Sequence, residues 1–175
     1  MKYIKLIGFI FACVTGVAQA NVIDLDSTLG KTAAQQSSIQ TISLNAGLYT
    51  VQAIGGAWNA WGDNITRGCD SNGLGCNRGW LSSFNVFTGS SNTQVGSNGL
   101  RFGSAAIAID NAPSFTFNLA SAQDVTFYVM DINYSDNFGT LQVAVSPVPE
   151  ASTYALMLSG LGLVAFAVKR RKLKL

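Results

Sequence analysis

The sequence predicts an all-β fold: a jelly-roll-like antiparallel β-sandwich ectodomain followed by one C-terminal transmembrane helix. Three observations predict it. Between Asn21 and Ser146 the chain is rich in Gly, Ser, Asn and Thr, and Glu occurs nowhere before Glu150, so strong helix formers are scarce. Short apolar runs, several with period-2 alternation, are separated by turn residues, as strands with one buried face require. Finally, an apolar run from Ala151 to Val168 ends in Lys169-Arg170-Arg171-Lys172-Leu173-Lys174, the arrangement of a spanning helix whose cations stay in the cytoplasm.

Met1 to Ala20 carries Lys2 and Lys5, an apolar stretch from Leu6 to Val17, and Ala18 and Ala20 flanking Gln19. This is the pattern of a secretory signal peptide over residues 1–20. A rival reading takes Ile10-Phe11-Ala12-Cys13 as a lipoprotein processing site, against which stand Phe11 and the intact small-x-small pattern. The mature chain is then expected to begin near Asn21.

The ectodomain, residues 21–146, is about the size of one ordinary domain. Its strands are predicted at Gln40–Leu44, Leu48–Ile54, Trp80–Thr88, Ala105–Asp110, Ser114–Leu119, Val125–Asp131 and Thr140–Val145. Asn45-Ala46-Gly47 supplies a short hairpin connection between the first two. Phe115, Phe117 and Leu119 alternate with polar residues, and so do Leu141, Val143 and Val145 with Gln142 and Ala144. Ser27–Ser38 is polar and is left open between edge strand, short helix and arm. Ser146-Pro147-Val148-Pro149 reads as a linker, because two prolines two apart cannot continue a ladder.

Charge narrows the partners. Lys31, Arg67, Arg78 and Arg101 face eight aspartates in residues 21–146, a net of −4, although the whole chain is formally +2. A basic groove for nucleic acid is therefore not expected, whereas cations are. The chain contains no His, which excludes His-dependent nucleophilic triads and His-ligated zinc. Aspartate pairs can still serve glycoside hydrolysis, but that demands a raised carboxyl pKa in a substantial cleft, and a non-enzymatic protein is expected. Cys69 and Cys76, the two cysteines after the signal peptide, are expected to form a disulfide in an exported chain.

Asp131-Ile132-Asn133-Tyr134-Ser135-Asp136-Asn137-Phe138-Gly139 concentrates carboxylate, amide and hydroxyl oxygens in one loop. Ca²⁺ takes six to eight such donors; the plain alternative is a polar turn. Trp58 and Trp61, in a Gly- and Asn-rich loop, read equally as sugar-stacking faces or as core residues, while Trp80 reads as core.

Two resemblances extend this reading. Val148-Pro149-Glu150-Ala151, the apolar run through Leu163, and Lys169-Arg170-Arg171-Lys172 resemble the PEP-CTERM sorting signal of Gram-negative bacteria, with Ala151 where that family usually has Pro. The resemblance places the sorting region at residues 147–175. It implies export, recognition of Pro149-Glu150 by an exosortase, removal of the helix, and a place at the surface or in the matrix of an exopolysaccharide-producing, biofilm-forming cell. Secondly, Tyr49-Thr50-Val51, Gly56-Ala57-Trp58-Asn59-Ala60-Trp61-Gly62, and Asp131 with Asp136-Asn137 are similar to calcium-dependent galactose-binding lectins of the PA-I type. That resemblance implies Ca²⁺ held by Asp131, Asp136, Asn137 and the Trp61 backbone carbonyl, with sugar hydroxyls completing the shell. It departs in having Asp136 for Asn and a shorter spacing from Asp131. The expected activity is calcium-assisted carbohydrate binding, with extracellular polysaccharide as partner; the alternatives are a matrix protein without a specific ligand and a surface glycoside hydrolase.

Overall fold

A computed structural model describes residues 20–28, 36–62, 65–97, 99–149 and 151–172. The predicted signal peptide, apart from Ala20, and Glu150 of the sorting motif lie outside these residues. In chain order the elements are β1 (Asn21–Asp26), β2 (Gln36–Leu44), β3 (Gly47–Gly56), β4 (Trp58–Asn59), β5 (Trp80–Leu81), β6 (Phe84–Phe87), β7 (Asn92–Val95), α1 (Ala105–Asp110), β8 (Phe115–Leu119), β9 (Gln123–Met130), a 3-10 turn (Tyr134–Asp136), β10 (Thr140–Pro147) and α2 (Ala151–Lys172).

Two four-stranded antiparallel sheets dominate, ordered β1-β10-β3-β8 and β2-β9-β6-β7, with β4 and β5 forming a small third sheet. The alternation predicted for β10 is realised: Leu141, Val143 and Val145 are buried while Gln142 is exposed. These side chains share one core with Leu25 and Val51 of the first sheet and Phe84, Val86, Val125, Phe127 and Val129 of the second. The two large sheets thus turn their apolar faces to a common interior, where close packing supplies the main stabilisation. Outward-facing hydroxyls pair across strands, with Thr41 and Thr126 Oγ1 atoms 3.0 Å apart.

Several expectations change. Ala105–Asp110 is a helix and not a strand. Ser104 Oγ accepts the Ile107 N–H at 3.2 Å and Asn111 Nδ2 donates to the Ile107 carbonyl at 2.8 Å. These caps, with three alanines of high helix propensity, outweigh the β-branched isoleucines. The single strand expected at Trp80–Thr88 is two, β5 and β6, separated at Ser82-Ser83 as the chain passes between sheets. Asn21–Asp26, which carried no strand prediction, is an edge strand paired with β10. The proline segment is less of a linker than expected: β10 continues through Pro147, and Val148 N–H donates to the Leu48 carbonyl at 2.8 Å.

Of the expected transmembrane helix, the structure shows the helix. A helix does form over Ala151–Lys172, but among the described residues no helix is long and apolar enough to cross a membrane. Its apolar stretch to Val168 rises about 22 Å counted from Tyr154 and about 27 Å counted from Ala151, against a hydrocarbon core of roughly 30 Å.

Candidate functional site

The site is assembled where the small sheet meets the loop after β9. Asn59 of β4 exchanges backbone hydrogen bonds with Phe138, N–H to carbonyl at 2.7 Å and back at 2.9 Å. That bridge ties the Asp131–Gly139 loop to the loop that carries Trp61. Two glycines permit the closeness. Gly139 has φ +99°, and a Cβ there would lie 2.5 Å from the Ala57 carbonyl oxygen. Gly62 has φ +64°, and its Cβ would lie 2.8 Å from the Asp136 carbonyl oxygen. L residues are disfavoured in both positions.

Around this seam the polar atoms are poorly satisfied. Asn137 is 7 % exposed, and both its side-chain Oδ1 and Nδ2 are buried without a hydrogen-bond partner. Asp136 Oδ1 is in the same state. Asn59, fully buried, accepts the Trp61 N–H on Oδ1 at 3.1 Å but leaves Nδ2 unpaired. Buried polar groups are ordinarily paired, because each orphan costs on the order of 1–3 kcal/mol. Asp131 Oδ1 accepts the neighbouring Ile132 N–H at 2.8 Å. Burial pushes the Asp131 carboxyl above the ordinary aspartate value, and repulsion from Asp136 adds to this. Backbone hydrogen bonds from Ile132 and Asn133, and the Arg101 charge, act in the opposite sense.

Trp61 stands at the rim. The Arg101 guanidinium lies 4.8 Å from its ring centroid and that of Arg78 5.9 Å, within cation–π range. Arg101 reaches this place through neighbours far along the chain. Trp80 and Phe102 exchange backbone bonds at 2.8 and 3.0 Å, laying the strand segment beside β5. Cys76 N–H donates to the Arg101 carbonyl at 3.1 Å, and Gly103 N–H to the Gly73 carbonyl at 2.7 Å. The Cys69–Cys76 disulfide, as expected, closes that loop and so braces the segment from behind.

Of the sequence-predicted residues, Asp131, Asp136, Asn137 and Trp61 are therefore brought to one corner. Trp58 is not. It is 3 % exposed, belongs to the core, and its Nε1 donates to the Ser83 carbonyl at 2.8 Å, so it offers no face to a sugar. The Trp61 ring is exposed in part, but guanidinium groups already approach it. Arg101 and Asn59 were missed by sequence reasoning. The available signal for Arg101 was its rarity: it is one of four cations against eight aspartates in the ectodomain.

A divalent ion fits this donor set in one respect and is limited in another. The orphaned Asp136 and Asn137 oxygens are hard ligands of the sort Ca²⁺ takes. Yet among the described residues no three acidic or cysteine side chains converge, so amide, carbonyl and ligand oxygens would have to supply the rest of the shell.

No curated protein and no solved structure matches the chain, and the lectin resemblance rests on the quoted residues alone. The sorting signal stands differently. A motif of this kind implies an exported surface protein with an exosortase as its processing partner, and residues 147–172 match the PEP-CTERM protein-sorting motif, which this chain carries.

Proposed function

We propose that this chain is an exosortase-processed cell-surface or matrix protein of an exopolysaccharide-producing bacterium, and that its jelly-roll-like sandwich is a non-catalytic, calcium-assisted carbohydrate-binding module. The ectodomain is delivered to the periplasm, held at the inner membrane by the sorting segment, and then passed to the cell surface or matrix. The observation that carries the binding reading is the pair of buried, unpartnered oxygens, Asp136 Oδ1 and Asn137 Oδ1, beside Asp131. A cation would satisfy both oxygens and relieve the repulsion between the two carboxylates. Sugar hydroxyls would complete its shell, with Trp61 as the aromatic wall.

The test is thermal. Calcium should raise the melting temperature of the full chain, EDTA should reverse the rise, and Asp136→Ala should abolish it. Identical curves with calcium and with EDTA would remove the reading. A second reading has one observation in its favour: a raised Asp131 carboxyl beside Asp136 is the kind of pairing that glycoside hydrolysis uses. It requires turnover of a polysaccharide that is lost in Asp131→Asn.

A further inference from the structure

The unsatisfied groups at this corner are of two kinds, and calcium answers only one. Asp136 Oδ1 and Asn137 Oδ1 are acceptors, but Arg101 Nε and the Nδ2 atoms of Asn59 and Asn137 are donors, also buried and without partners. A metal ion cannot accept a hydrogen bond, so calcium leaves these donors unanswered. Charge makes the demand stricter. Among the described residues, the Asp131 carboxylate feels one further carboxylate, Asp136, and one guanidinium, Arg101, which also approaches the Trp61 ring. A divalent cation takes these two carboxylates and one guanidinium from −1 to +1, a charge that a neutral sugar does not offset.

We propose that the glycan bound here is acidic: a uronic-acid residue whose carboxylate pairs with Arg101 when calcium is bound, with its ring against Trp61. This rests on the calcium-assisted reading and specifies its substrate class. Guanidinium is the side chain best matched to a planar carboxylate, through paired and charge-assisted hydrogen bonds. Arg101 is held ready for that role, because its backbone is fixed by Cys76 and its neighbour Phe102 by Trp80. The cation–π contact at 4.8 Å orients the guanidinium without using its N–H donors.

The experiment uses the full chain in detergent and calorimetric titration with methyl glycosides of galacturonate and glucuronate, each against its neutral counterpart, galactoside or glucoside. With calcium, at least one uronide should bind about tenfold or more tightly than its neutral partner. EDTA should abolish that binding. Arg101→Met should erase the preference, and Arg101→Lys, which keeps the charge but not the fork, should retain only part of it. Melting curves of both variants check folding, and the wild-type comparison stands without either variant. Equal affinities for uronide and neutral glycoside, with the calcium-induced melting shift intact, would overturn this inference and leave the calcium reading standing. Uronide binding unchanged by EDTA would also overturn it, since binding would then not depend on the ion. Absence of any calcium shift would remove the reading beneath it.

Discussion

Gly62 lies directly against the carbonyl of Asp136, so closely that a single added carbon would stand 2.8 Å from that oxygen, in a backbone conformation of φ +64°. The contact joins the Trp61 loop to the 3-10 turn, and the obstacle is backbone, which cannot swing aside. Gly62→Ala should therefore cost about 2 kcal/mol or more from left-handed strain and displacement together. For a domain of this size that is a fall in melting temperature of roughly 8 °C. The calcium-induced shift should shrink as well, because Asp136 moves relative to Trp61. Gly75→Ala makes a useful control: its φ is also positive, at +64°, but nothing lies within 4 Å. It should melt closer to wild type and keep its calcium response.

The two loop tryptophans should separate cleanly on substitution. Trp58 fills core space and satisfies the Ser83 carbonyl through Nε1. Trp58→Ala should cost about 3–5 kcal/mol and compromise folding whether or not ligand is present. Trp61 contributes mainly its stacking with Arg101 and Arg78, a contact worth on the order of 1 kcal/mol. Trp61→Ala should melt within several degrees of wild type while losing glycan affinity, as paired melting and titration would show. Equal destabilisation by both substitutions would place Trp61 in the core as well.

What could be read from the chain followed a physical divide between local and distant causes. The β10 and β8 alternation was legible because period-2 burial is a local property, and Leu141, Val143, Val145, Phe117 and Leu119 are all buried. Ala105–Asp110 was misread because its isoleucines fit either period, and the deciding bonds come from single hydroxyl and amide caps at Ser104 and Asn111. At the site, Asp131, Asp136 and Asn137 share one loop and were found together. Arg101 and Asn59 were not, since their approach depends on the Trp80–Phe102 and Asn59–Phe138 bridges, which no short-range pattern encodes. Trp58 and Trp61 looked alike in sequence; only the path of β4 into the core distinguishes them.

The sorting motif yields a prediction independent of any ligand. Val148 is hydrogen-bonded to Leu48, so Pro149 follows the end of an ordered central strand almost at once. Pro149→Ala or Glu150→Gln should stop processing in the native host, leaving full-length protein in the membrane fraction and less at the surface. Intact-mass measurement of both fractions checks this. Ala151→Pro, which restores the residue usual in the resembled family, should leave processing unimpaired or faster. Ectodomain melting should be unaltered by these changes, because the core lies on the other side of Val148.

Asp131 should make stability depend on pH in opposite ways with and without calcium. Its carboxyl is raised above the ordinary value, first by burial and then by Asp136. The folded chain therefore holds this proton more tightly than the unfolded one. The resulting stabilisation is complete below the unfolded pKa and is lost as pH rises through the folded pKa. In EDTA, then, Asp131→Asn, which can still accept the Ile132 N–H but carries no charge, should gain on wild type as pH rises from about 4 to neutrality. With calcium at neutral pH the order should reverse, since ionised Asp131 then faces a cation and the amide is the weaker ligand. Melting temperatures of the two proteins at several pH values, each with calcium and with EDTA, would reveal the crossing. A variant that melts below wild type by the same margin under every condition would show Asp131 to be structural, and would take it out of the ion's shell.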